Sequence, residues 1–178
     1  MKIAILGYGK MGKEIEKIAL SRGNDVVLKI GEDNLSDLTK ENLSLADVAI
    51  EFSTPNTAYD NIQLCFESNV PVVVGTTGWL DKIDYCIQQT EAGKGLFYAS
   101  NFSVGVNVFF EINKKLASLM APYKEYKVAM EEVHHTEKLD SPSGTAITLA
   151  EGIIDNLPQV TNWVNEKTAS NGELGIFS

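Results

Sequence analysis

Through the first hundred residues short apolar runs alternate with amphipathic stretches, and that rhythm restricts the fold more than any other feature of the chain. Ile3 to Leu6 is followed by Lys10 to Ser21, and Val26 to Ile30 comes next. Val48 to Phe52 is followed by Thr57 to Glu67, Val72 to Val74 by Leu80 to Gln89, and Leu96 to Ala99 closes the series. An apolar run of four or five residues suits a strand buried on both faces, and a 3.6-residue period suits a covering helix. Their alternation predicts five strands of a Rossmann-type doubly wound parallel sheet, an α/β arrangement.

Beyond Asn101 the texture changes. A helix is expected from about Val104 to Met120, stopped by Pro122, and then an extended run from Tyr126 to Val133. After a polar turn come a second helix from about Ser143 to Asn156, halted by Pro158, and a strand candidate from Trp163 to Glu166. No strand–helix alternation is visible here, so a second, smaller α+β domain is expected. The division falls at 1–103 for a dinucleotide-binding domain and 104–178 for a substrate domain, with no internal repeats.

The formal charge of −9, with Arg22 the only arginine, argues against a nucleic-acid partner, whose phosphates are bound by clustered Lys and Arg. A small molecule is the better ligand, and an anionic one needs a local cluster of donors to offset the field of the chain. The apolar run before Gly7 is too short for a signal-peptide core or a membrane span. Cys65 and Cys86 fall in predicted helices with no metal-type spacing, and as free thiols they fit a reducing cytoplasm.

Gly7-Tyr8-Gly9-Lys10-Met11-Gly12 is a GxGxxG directly after a predicted strand and directly before a predicted helix, the context in which the motif binds a dinucleotide. Its glycines permit a tight turn and close backbone approach, and the helix start offers N–H groups to a pyrophosphate. Glu32 stands about 20 residues on, where an acidic side chain holds the adenosine ribose; Asp33 is adjacent, and either also suits a solvated turn. Lys10 and Lys29 are near enough in sequence to meet a 2′-phosphate, so NADH and NADPH both remain open. Gly75-Thr76-Thr77-Gly78 and Ala99-Ser100-Asn101-Phe102 follow predicted strands, at the carboxyl ends where open α/β sheets bind ligands, although such residues also make ordinary turns.

The run Glu131 to Ala146 carries both histidines, His134 and His135, and then Lys138. Imidazole moves protons near neutral pH, and a lysine neutralises fixed or developing negative charge. Ser141-Pro142-Ser143-Gly144-Thr145 reads as a helix opening with a serine cap and a proline near the first turn, whose N–H groups and hydroxyls form an anion cradle. A carboxylate or phosphate substrate is therefore expected. The rival readings are a surface loop with solvated histidines, and a zinc site drawing on Glu131, Glu132 and Glu137, although the spacing matches no HExxH pattern.

These residues resemble the dihydrodipicolinate reductase family. The glycine loop, Glu51-Phe52-Ser53-Thr54-Pro55, Val74-Gly75-Thr76-Thr77-Gly78, Ala99 to Asn107 and the run His134 to Ala146 fall in the family's order, and the last two motifs are highly specific. The resemblance implies a pyridine-nucleotide reductase of diaminopimelate and lysine biosynthesis, acting on a cyclic unsaturated dicarboxylate with loss of water. It implies His134 as general acid, Lys138 as a second catalytic group, and His135, Gly144 and Thr145 as substrate contacts, joined by Ser143 of the derived cradle. The coenzyme would touch Gly7 to Gly12, a residue near Glu32, Gly75 to Thr77, and Ala99 to Phe102, across a gap between the two domains. The family forms tetramers and continues beyond a strand that resembles Glu173 to Ser178, so the chain is expected to lack that C-terminal part. Two other readings stand beside it: a nucleotide-binding fragment without catalysis, motivated by the expected lack of that C-terminal part, and a Rossmann reductase of another small carboxylate, resting on the generic first half alone.

Overall fold

A computed structural model describes residues 1–134, 141–167 and 170–178, and the chain divides into two compact units, Met1–Ala99 and Ser100–Ser178. The first holds a five-stranded sheet of β1 (Lys2–Leu6), β2 (Asp25–Ile30), β3 (Val48–Glu51), β4 (Val72–Val74) and β5 (Leu96–Tyr98). All pairs are parallel and the order is β2-β1-β3-β4-β5, so the direction of winding reverses between β1 and β3. Strand alternation sorts β1 onto two layers: Ile3 and Ile5 pack with Ala19 on one face, Ala4 and Leu6 with Leu43, Ala58, Ile62 and Phe66 on the other. Helix α1 (Lys10–Ser21) therefore covers one side, and α2 (Lys40–Leu43), α3 (Pro55–Glu67) and α4 (Ile83–Glu91) the other.

The five expected strands and the helices α1 and α3 are present, with shifts of a residue or two. Neither the 3-10 turn Glu32–Asp37 nor α2 was expected, because neither is long enough to express a period. The single helix expected from Leu80 breaks instead into a 3-10 turn, Leu80–Lys82, and α4.

In the second unit α5 (Val104–Met120) and α6 (Gly144–Ile154) pack together and leave β6 (Met130–Glu131), β7 (Asn162–Val164) and β8 (Glu173–Phe177) in a sheet of order β6-β8-β7. A Cβ at Gly152 would press on Lys114, so the two helices approach where the chain has no side chain. Leu174 and Ile176 of β8 are fully buried with Ala146, Ala150 and Ile153 of α6. Both strand pairs are parallel and α6 lies in the crossover between β6 and β8, an alternation the sequence does not display because β6 is only two residues long. The extended run expected over Tyr126 to Val133 yields strand only where Ile176 and Phe177 supply a partner. Along α5, Val104, Val108, Ile112, Leu116 and Leu119 form an exposed apolar row. Among the described residues, no helix is long and apolar enough to cross a membrane.

Candidate active site

The glycine turn leaves β1 at Leu6. Gly7 adopts φ +99°, and a Cβ there would overlap the Phe52 carbonyl, so the position requires glycine twice over. A Cβ at Gly12 would overlap the Gly7 carbonyl, which brings the first turn of α1 down onto the strand end. Gly9 differs from both: it is the N-cap of α1, supplies no side-chain cap, and a Cβ there would meet nothing within 4 Å. The start of a 12-residue helix thus opens onto free space at the carboxyl end of the sheet, where its winding reverses. An uncapped helix start with open room above Gly9 fits a dinucleotide pyrophosphate.

Around this turn the side chains have distinct environments. Lys10 and Met11 are exposed, while Tyr8 is half-buried and its hydroxyl donates to Glu16. Lys29 donates to Glu16 at 2.9 Å and stands 5.2 Å from the centre of the Tyr8 ring. The hydrogen bond with Glu16 raises the Lys29 pKa, so this ammonium is already held by the protein. Glu32, two residues past β2, is exposed with Asp33 beside it. Since Leu6 pairs with Ile30, the glycine turn and Glu32 leave neighbouring strands at the same end.

The neighbouring turns are built on Phe52 and Ser53. The Phe52 ring fills the space a Cβ at Gly75 would need. Ser53 N–H donates to the Thr76 hydroxyl at 2.8 Å and to Glu51 at 3.0 Å, and Asn61 reaches the same carboxylate at 3.3 Å. Thr76 is buried, with its carbonyl accepting from the Trp79 indole at 2.8 Å, whereas Thr77 is half-buried. Sequence reading marked Thr76 as a contact and missed Glu51, Asn61 and Trp79 as the supports of these turns. A charged residue at the end of an apolar strand was the signal available for Glu51.

The second unit gathers several of the expected residues. Ser143 is the N-cap of α6, and Pro142 precedes the cap rather than opening the first turn. The Ser143 N–H and hydroxyl donate to Glu132 at 2.7 and 2.5 Å, so both of its donors are directed at a protein carboxylate. Glu132 also meets His134 Nε2 at 2.8 Å and accepts from the Ser178 hydroxyl. Burial pushes the Glu132 carboxyl up, but the hydrogen bonds from Ser143, Ser178 and His134 outweigh it and hold the group at about 2. Gly144 and Thr145 open α6 beside this cluster, and Asn101 approaches the Thr145 hydroxyl at 3.5 Å. Ser100 shares a hydrogen bond of 3.1 Å with Thr148, so the start of α6 and the turn before α5 are joined within one unit. Ala99 ends the first unit, and Phe102 is exposed.

His135 and Lys138 lie outside the described residues. Among those described, no group of three His, Cys, Asp or Glu side chains could hold a metal ion. Glu132, read from sequence only as a zinc candidate, emerges as the hub of the cluster. Its position two residues before His134 in an extended segment was the usable signal, because such neighbours project to the same side.

A doubly wound unit with an open helix start, followed by a unit that holds a histidine against a carboxylate, defines a two-domain nicotinamide-dependent oxidoreductase. The chain belongs to the dihydrodipicolinate reductase family. The family's N-terminal model, described as "Dihydrodipicolinate reductase, N-terminus", matches residues 1–102, and its C-terminal counterpart matches residues 105–178. The chain is 47% identical to 4-hydroxy-tetrahydrodipicolinate reductase of Christiangramia forsetii, over 92% of its own length and 68% of that protein's. It is 31% identical to the Clostridium tetani protein of the same name, over 100% of its own length and 74% of the relative's. Its structure resembles the dipicolinate-bound dihydrodipicolinate reductase of Paenisporosarcina sp. TG-14, with a TM-score of 0.68, 27% identity, and coverage of 99% of this chain and 77% of that one.

Proposed function

We propose that the chain reduces 4-hydroxy-tetrahydrodipicolinate to tetrahydrodipicolinate in diaminopimelate and lysine biosynthesis, in the cytoplasm. The observation that carries this reading is the meeting of His134, Glu132 and the start of α6 within the region that the family's C-terminal model matches. One hydride and one proton enter the ring and one water leaves. The reduced nicotinamide supplies the hydride when bound. His134 provides the proton as general acid, and Lys138 assists by offsetting negative charge. His135 and the N–H groups of Gly144 and Thr145 hold a substrate carboxylate at the positive end of α6. Ser143 serves this arrangement by fixing Glu132 rather than by touching substrate.

The coenzyme contacts are Gly7 to Gly12, Glu32, Gly75 to Thr77 and Ala99 to Phe102. NADH is the preferred coenzyme: Glu32 and Asp33 suit a ribose diol and repel a 2′-phosphate, and Lys29 is engaged by Glu16. The protein assembles as a homo-oligomer, a reading the exposed apolar row of α5 supports.

Dipicolinate provides the test, because the Paenisporosarcina protein holds it and it mimics a planar dicarboxylate. Competitive inhibition against 4-hydroxy-tetrahydrodipicolinate is expected. Turnover of the substrate that dipicolinate leaves unaffected would overturn the assignment of residues 134–145 as its site.

A further inference from the structure

Glu132 does more than neutralise a neighbour. Its carboxylate accepts from the N–H and hydroxyl of Ser143 at the cap of α6 and from the hydroxyl of Ser178 after β8, while the Glu132 backbone N–H donates to Phe177 O at 2.9 Å and fixes the main chain. A carboxylate so tethered cannot turn to follow an imidazole; the imidazole must align with it. His134 Nε2 lies 2.8 Å from Glu132 Oε2, with the glutamate side chain 13% exposed and the histidine 38% exposed.

We infer that Glu132 is the positioning residue for the acid: it holds His134 with the hydrogen on Nε2, so that the proton given to substrate leaves from Nδ1. The inference rests on the proposed role of His134. An ionised carboxylate has acceptors only, so the ring nitrogen facing it carries a hydrogen in both protonation states. The imidazolium then has one proton free to leave, on Nδ1. Transfer breaks that N–H bond, forms the new bond on the substrate, and leaves a neutral ring with Nε2–H. Solvent water returns the proton to the exposed ring. The histidine–aspartate pairs of hydrolytic triads obey the same logic, with the carboxylate setting tautomer and orientation without itself accepting the proton.

The Glu132→Gln variant separates this role from simple support of α6. The amide oxygen can still accept from Ser143, but the amide NH2 turned toward His134 forces Nε2 to become an acceptor and moves the neutral tautomer to Nδ1–H. The expected result is a fall in kcat of about 10²- to 10⁴-fold with the substrate KM and the NADH Kd changed less than about threefold. Glu132→Asp, which keeps the charge, should recover at least about tenfold of that loss. Nitrogen-15 imidazole spectra give a direct readout, since the chain has two histidines and the His134 signals are those lost in His134→Gln. The wild type should show Nε2–H in the neutral ring and Glu132→Gln the Nδ1–H form. Unchanged kcat in a folded Glu132→Gln, or an Nδ1–H ring in the wild type, overturns the inference. If the wild type binds NADH and turns over no substrate, the proposed function fails, while the wild-type spectrum still decides the placement of the hydrogen. That spectrum also decides it should Glu132→Gln not fold.

Discussion

The Phe52 carbonyl occupies the volume that a side chain at Gly7 would require, and the strand end and the turn after β3 are thereby locked together. Gly7→Ala must both adopt a positive φ and displace this backbone, so it should destabilise the first unit by about 2 kcal/mol or more, read as a loss of melting temperature. Gly9→Ala is the contrasting case. With nothing within 4 Å of its Cβ it should leave the melting temperature unchanged and weaken NADH at least about tenfold, because the methyl enters the room read here as the pyrophosphate's. Equal NADH affinity in Gly9→Ala and wild type would refute that use of the helix start.

The acidic pair after β2 predicts coenzyme choice. Wild-type kcat/KM should favour NADH over NADPH, and Asp33→Arg should move the ratio toward NADPH by about tenfold or more, since a guanidinium suits a 2′-phosphate. A wild type that prefers NADPH would contradict the reading of Glu32 and Asp33.

How much of this was legible in the sequence follows from length and locality. Strands of the first sheet are apolar runs and α1, α3, α4 and α5 carry a period, so both show in the residues themselves. Strand β6 does not, because its two residues are extended only through Ile176 and Phe177, more than forty positions away. Site residues divide the same way. The glycine turn and the histidines announce their chemistry by type and context. Glu132 looks like any surface glutamate until α6 and β8 bring Ser143 and Ser178 to it.

Stability should depend on pH through that same carboxyl. Its pKa is lowered on folding from the ordinary 4.5 to about 2, so its contribution is complete above 4.5 and is lost as pH falls through 4.5 toward 2. Allowing for solvent screening, the loss should be on the order of 1–2 kcal/mol in denaturant titrations across that range. Glu132→Gln should lack that share of the acid slope, and an identical slope in both proteins would show that Glu132 carries none of it.

Burial governs the thiols. Cys65 is fully buried and its thiol is pushed up to about 12 by desolvation, with Glu51 adding to the effect, and burial also raises Cys86. Neither should react with a disulfide reagent at pH 8 until the protein unfolds, when two thiols should appear. Rapid labelling of the native protein would contradict the packing of α3 and α4 on the sheet.

The most direct test of the account is the decay of reduced-nicotinamide absorbance on adding 4-hydroxy-tetrahydrodipicolinate to protein with NADH bound, in wild type and in His134→Gln. Substrate-dependent decay is expected in the wild type, with a rate at least about 10²-fold lower in His134→Gln at equal NADH occupancy. Absence of decay in the wild type, or equal decay in both proteins, would contradict it.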